Sequence, residues 1–264
     1  MTGDPVLPVH DLSGPEGAPV VVLGSSLGTN RGLWEPQLDA LRRRFRVLRF
    51  DHRGHGGAPA PPGPYEIDDL GRDVLALLDH RGVAAASYCG LSLGGMVGMW
   101  LAAHAPARVN RLVLCCTTAW FPSPEPWLDR ARRVRAAGTG SIAEPVVARW
   151  FTPAFAQAAP EVVRRHAAML AATDDEAYAG CCEAIAAMDL RPLLAAITAP
   201  TLVLAAEQDL AIPPAHGRAI ADAIPGARLR LLSGGAHLAT VEAAEPVTEA
   251  ILAHLTAPPT PGRR

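Results

Sequence analysis

The chain has no lysine: all 24 of its basic residues are arginine. Chemistry that needs a lysine amine is thereby excluded, both Schiff-base catalysis and the GK[ST] phosphate-binding loop. Cysteine is scarce, odd in number and badly spaced for structural use. Cys89, Cys115, Cys116, Cys181 and Cys182 contain two adjacent pairs and no CxxC, which argues against a disulfide framework and against a zinc site. Long charge runs are missing too. With 24 basic and 26 acidic residues spread along the chain, neither a nucleic acid nor a membrane surface is an expected partner. No apolar run approaches the roughly 18 residues of a membrane span, and the first residues lack a basic segment followed by an apolar one, so a soluble, cytoplasmic chain is expected.

What is present is a 264-residue chain, 49% hydrophobic, long enough for one sizeable α/β core. Val20 to Leu23, Arg46 to Phe50, Ala86 to Leu91 and Arg111 to Cys116 are continuous apolar or near-apolar runs, as buried parallel strands require. Apolar residues recur at helical spacing between them, from Leu33 to Leu41, Tyr65 to His80 and Met96 to His104. The alternation stops at Thr118. From there to Leu194 only proline-broken helical stretches occur, and alternation resumes at Thr201 to Ala205, Pro213 to Ile224, Arg228 to Leu232 and Glu242 to Leu255. The pattern predicts a mostly parallel central sheet with helices on both faces and a helical lid inserted between two strands. Residues 1–117 and 196–256 then form the two parts of the core, 118–195 the lid, and 257–264, rich in proline, a disordered tail.

One motif carries chemistry. Gly90-Leu91-Ser92-Leu93-Gly94 fits G-x-S-x-G between an apolar strand and an apolar helix, the context in which a serine is forced onto a sharp turn. Residues two positions from that serine come into close contact, so they must be small. Serine needs a base, and the base an orienting acid, in the chain order serine, acid, histidine. Asp209 lies just past the strand Thr201 to Ala205, with Glu207 as rival acid, and Asp209 is preferred because it stands farther out on the loop. His237 follows the last strand in Ser233-Gly234-Gly235-Ala236-His237. An oxyanion would take the Leu93 amide and a second amide from the loop Gly24 to Thr29, for which Ser26 is the choice. His52 and His55 stand in the turn Asp51-His52-Arg53-Gly54-His55-Gly56 and are read as structural, because turn-forming residues surround them.

Together these residues resemble the α/β-hydrolase superfamily and, within it, the 3-oxoadipate enol-lactonases. The more specific likeness rests on Ser25-Ser26-Leu27-Gly28-Thr29, on Phe50 to Gly56, on Leu70-Gly71-Arg72-Asp73-Val74, and on Arg149-Trp150-Phe151-Thr152 and Cys181-Cys182 in the lid. The resemblance implies hydrolysis of a small lactone or ester through Ser92, His237 and Asp209, without metal or cofactor. Such a substrate carries a carboxylate, and without lysine its partner should be arginine. Arg130, Arg133 and Arg149 are the candidates, with Trp150 and Leu27 as apolar walls.

Overall fold

A computed structural model of the chain describes residues 4–258. In chain order the elements are β1 (His10–Ser13), β2 (Val20–Gly24), α1 (Leu38–Arg42), β3 (Arg46–Phe50), α2 (Ile67–His80), β4 (Ala86–Leu91), α3 (Leu93–His104) and β5 (Val109–Cys115). Then come α4 (Glu125–Ala137), α5 (Ala143–Val147), α6 (Pro153–Ala158), α7 (Pro160–Ala171) and α8 (Asp175–Ala187). The chain ends with β6 (Thr201–Ala206), α9 (Pro214–Ala223), β7 (Arg228–Leu232), α10 (Ala239–Glu242) and α11 (Ala244–Leu255).

Among the described residues seven strands form one sheet in the order β1-β3-β2-β4-β5-β6-β7, and within it only the β1–β3 pair is antiparallel, His10 lying opposite Phe50. Progression from β2 to β3 runs one way along the sheet and from β3 through β4, β5, β6 and β7 the other. Right-handed crossovers then place α1 on one face and α2, α3 and α9 on the opposite face. The direction reverses at β2 and β4, and the carboxyl ends of these two strands form the crevice where such sheets bind ligands.

Strands β4 and β6 are buried along their whole length, as their unbroken small and apolar runs predict. Helix α3 is apolar all round and buried from Leu93 to Ala102, lying between the sheet and α2. Helix α2 instead has one apolar face, and its start is held by reciprocal bonds between Glu66 and Asp69.

Three elements differ from the sequence expectation. β1 has no apolar run and is held at the sheet edge by backbone pairing to β3. The stretch from Leu33 to Leu41 opens as a 3₁₀ turn, Arg31–Gln37, and becomes α-helical only at Leu38; Pro36 within it has no amide to donate to an α-turn. The expected last helix is two, broken at Ala243. Of the tail, Ala257 and Pro258 are described, their carbonyls accepting from Arg111 Nη2; residues 259–264 lie outside the described residues. Among the described residues no helix is long and apolar enough to cross a membrane. All five cysteines are buried free thiols.

Candidate active site

The turn from β4 into α3 places Ser92 at φ 54°, ψ −114°, a conformation that costs a residue with a side chain about 1–3 kcal/mol. Three bonds hold it there. The Ser92 amide donates to the Cys115 carbonyl at 3.0 Å, and the Ser92 carbonyl accepts from the Met96 amide at 3.0 Å and from Thr117 Oγ1 at 2.7 Å. The flanking glycines are a steric requirement. A Cβ on Gly90 would stand 2.2 Å from the Gly94 carbonyl oxygen, and one on Gly94 would stand 2.2 Å from that of Gly24. Both obstacles are backbone, so no side-chain rotation relieves them.

Asp209 sits in the loop after β6 with its side chain 0% exposed. Its Oδ2 accepts from His237 Nδ1 at 2.9 Å, while Oδ1 accepts from the amides of Ala211 and Ile212, each at 2.8 Å. Three donors thus converge on this buried carboxylate. The bond to Nδ1 also orients the ring, turning Nε2 away from Asp209. Glu207, the rival acid, is exposed to solvent.

The loop bearing His237 is tied to the helical insertion on both sides of that histidine. The Leu238 amide donates to the Trp150 carbonyl at 3.0 Å, and the Ala236 amide donates to Glu242 Oε2 at 3.2 Å. Glu242 also accepts from the Thr152 amide at 3.1 Å and from the Thr152 hydroxyl. Arg149-Trp150-Phe151-Thr152 thus has a mechanical role that its sequence alone does not disclose.

The loop after β2 faces the elbow. Ser25 accepts at its carbonyl from the Gly94 amide at 3.0 Å and from His52 Nε2 at 3.1 Å, and Gly28, at φ +77°, donates to His55 Nε2 at 2.9 Å. His55 Nδ1 in turn donates to the Arg53 carbonyl at 2.8 Å, which fixes its tautomer. Burial pushes the pKa of His52 down to about 3 and that of His55 to about 4, so both rings are neutral struts at physiological pH. Arg53 closes a buried two-point pair on Asp73, at 2.6 and 2.8 Å. The Asp51 to Gly56 turn is therefore the scaffold of the Ser25 to Gly28 loop. Among the described residues, the amides of Ser26 and Leu93 have no protein acceptor.

Ser92 and His237 open onto one cavity of about 590 Å³ between the strand ends and the insertion. Ser26, Leu27, Arg130, Arg133, Arg149 and Trp150 all line it; Asp209 stands behind His237 and does not. Arg149 donates to the Leu210 carbonyl. The sequence reading missed Phe121, Trp127, Ile142, Tyr178 and Ile212 on its wall. A signal existed for part of this set. On α4, Pro126, Asp129, Arg130 and Arg133 recur at helical spacing on the cavity face, while Ala131 and Val134 are buried on another.

A mostly parallel sheet that reverses at β2, a serine elbow after β4, and an acid and a histidine on the loops after β6 and β7 define an α/β-hydrolase. The chain belongs to that family, whose alpha/beta hydrolase fold model matches residues 19–244. It is similar to 3-oxoadipate enol-lactonase 2 of Acinetobacter baylyi, 40% identical over 88% of this chain and 87% of that protein. The crystal structure of the enol-lactonase from Burkholderia xenovorans LB400 superposes with a TM-score of 0.92 at 43% identity, covering 94% of this chain and 96% of that one. A thermophilic esterase from Thermogutta terrifontis, solved with malate bound, superposes with a TM-score of 0.87 at 31% identity, covering 94% and 92%. The chain is a hydrolase.

Proposed function

We propose that the chain hydrolyses 3-oxoadipate enol-lactone to 3-oxoadipate in the cytoplasmic breakdown of aromatic compounds, by an acyl-enzyme mechanism at Ser92. The observation that carries the mechanism is the 2.9 Å bond from His237 Nδ1 to buried Asp209, with His237 and the strained Ser92 on one cavity wall. His237 Nε2 takes the proton as Ser92 Oγ attacks the ring carbonyl. The unpartnered amides of Leu93 and Ser26 receive the oxyanion, and Leu93 adds the positive end of the 12-residue α3. Collapse of the tetrahedral intermediate expels the enolate, which stays tethered to the acyl group. Delocalisation stabilises that leaving group, so it asks less of His237 as an acid than an amine would. Water activated by His237 then frees Ser92, and ketonisation of the enol draws the reaction forward.

Two things support this substrate over a neutral ester. The enol-lactonase relatives match nearly the whole chain. The charged side chains on the cavity wall are three arginines and one aspartate, Asp129, which already bonds Arg132. Freshly generated enol-lactone, followed by its ultraviolet absorbance, tests the reading. It should disappear rapidly with the wild type and at the uncatalysed rate with Ser92→Ala, and an active Ser92→Ala would refute the mechanism. The similar esterase with malate bound favours a second reading, a different small ester bearing a carboxylate. Turnover of such esters far above that of the enol-lactone would select it.

A further inference from the structure

The three arginines on the cavity wall are not equivalent. Arg133 and Arg149 are exposed, whereas Arg130 is half-buried. Its guanidinium lies over the Trp127 indole, with Cζ 4.5 Å from the ring centroid. Stacking of this kind orients the planar group and leaves its outward N–H donors free. Among the described residues no carboxylate lies within 4.0 Å of it, its sequence neighbour Asp129 being taken by Arg132.

Tyr178 on α8 lines the same cavity beside Arg130. Its side chain is 0% exposed, and its buried hydroxyl makes no well-formed hydrogen bond, although the Arg130 guanidinium lies close enough to act on it as a donor. Helix α4 packs against α8, which brings Arg130 and Tyr178 onto one wall; burial pushes the phenol pKa up, and the charge and donor N–H of Arg130 oppose that push. A buried hydroxyl without a well-formed bond is costly, and a guanidinium without a counter-ion in a half-buried wall adds to that cost. The ring also borders the loop after β2, since a Cβ on Gly28 would lie 3.2 Å from Tyr178 Cε2.

We propose that Arg130 and Tyr178 form the subsite for a carboxylate carried by the substrate, seated on the side of the cavity next to the Ser26 to Gly28 loop. One carboxylate oxygen accepts from Arg130 and the other from the Tyr178 hydroxyl, which a rotamer change of the arginine uncovers. Anchored there, the far end of the substrate turns its carbonyl oxygen toward the Ser26 and Leu93 amides. The subsite rests on the proposed hydrolysis of a carboxylated lactone, and it names the residue that separates such a substrate from a neutral one.

The test compares p-nitrophenyl hemisuccinate with p-nitrophenyl butyrate, two esters of similar length that differ in the carboxylate. The ratio of their kcat/KM values falls about 10- to 100-fold in Arg130→Gln and about 5- to 10-fold in Tyr178→Phe, recovers partly in Arg130→Lys, and does not change in the surface variant Arg164→Gln. Tyr178→Phe keeps a melting temperature close to the wild type, because the hydroxyl makes no well-formed hydrogen bond in the free protein. A ratio unmoved by Arg130→Gln, or lowered as much by Arg133→Gln, overturns the subsite. A wild type that prefers the charged ester, loses that preference with Arg130, and leaves the enol-lactone untouched supports the subsite and overturns the proposed substrate.

Discussion

Replacing His55 by glutamine should make the protein less stable at neutral pH and more stable in mild acid, so that the two stability curves cross. In the folded chain His55 is fully buried and its pKa is pushed from 6.5 down to about 4, burial outweighing the Arg53 carbonyl and Asp174, which favour the charged form. Protonation would also displace the Gly28 amide from Nε2. Above pH 6.5 both folded and unfolded states hold the ring neutral, and nothing is lost. Below it the unfolded chain takes up a proton that the folded chain refuses, so stability falls with pH until about pH 4. The loss attributable to this one ring is about 1.4 kcal/mol at about pH 5.5 and about 2.6 kcal/mol at about pH 4.5. Glutamine can accept from the Gly28 amide but does not titrate; losing the bond to the Arg53 carbonyl costs about 1 kcal/mol at neutral pH. The curves then cross at about pH 5.8. Urea unfolding at about pH 7, 5.5 and 4.5 measures this directly. His52, whose pKa is pushed down to about 3 by burial and, to a lesser extent, by the charge of His55, stays neutral in the folded state down to about pH 4.5 in both proteins, so its contribution cancels over the range measured. Curves that stay parallel from neutral pH to about pH 4.5 would refute the assignment of His55 as a neutral strut.

Asp209→Asn keeps the shape of the site but removes the acceptor that fixes the His237 tautomer, and kcat should fall by about 10³- to 10⁴-fold while the melting temperature changes little. Gly90→Ala sets a methyl group against the Gly94 carbonyl and must deform the elbow, so activity should vanish and circular dichroism should show a lower melting temperature. Arg53→Ala strands the buried Asp73 carboxylate, costing about 3–5 kcal/mol in urea unfolding. Thr152→Val, which removes the hydroxyl donor, and Glu242→Gln, which removes the charged acceptor, both weaken the link between the insertion and the His237 loop. Each should lower kcat about tenfold with an unchanged fold, and adding the second change to the first should lower it little further.

Legibility in the sequence followed the range of the forces involved. The elbow could be read because its cause is local: Gly90, Ser92 and Gly94 are two positions apart, and the clash that demands glycine arises within the turn and against the adjoining β2. The core strands could be read because burial on both faces leaves continuous apolar runs. β1 could not, since four partly exposed edge residues carry no periodic signal and are held by backbone pairing with a strand 36 residues on, Asp11 opposite Arg49 standing 38 apart. The same limit hid the site's walls. Tyr178 reads as an ordinary packing residue of α8 until the fold brings it to the cavity beside Arg130, and Glu242 reads as a helix-end acid until Thr152, 90 residues earlier in the chain, arrives against it. The Asp51 to Gly56 turn shows an intermediate case. Its composition announces a tight turn, but not that His52 and His55 reach across to a loop 27 residues earlier.

These long-range bonds make the groups proposed to react one mechanical unit. The Ser25 carbonyl takes the Gly94 amide, so the loop that carries the Ser26 amide and the helix that carries the Leu93 amide cannot move independently. On the other side, the insertion holds His237 through Trp150 and Thr152, and the same insertion supplies Arg130 and Tyr178 to the cavity. A ligand that shifts the insertion therefore shifts the His237 loop with it. On the proposed mechanism, substrate recognition and the position of the base are coupled through the bonds that Trp150 and Thr152 make to Leu238 and Glu242, each of which contributes only about 1 kcal/mol. Changes in the insertion that alter specificity should accordingly change kcat as well as KM, and the variants that most clearly separate the two effects are those, such as Tyr178→Phe, whose lost group makes no well-formed hydrogen bond in the free protein.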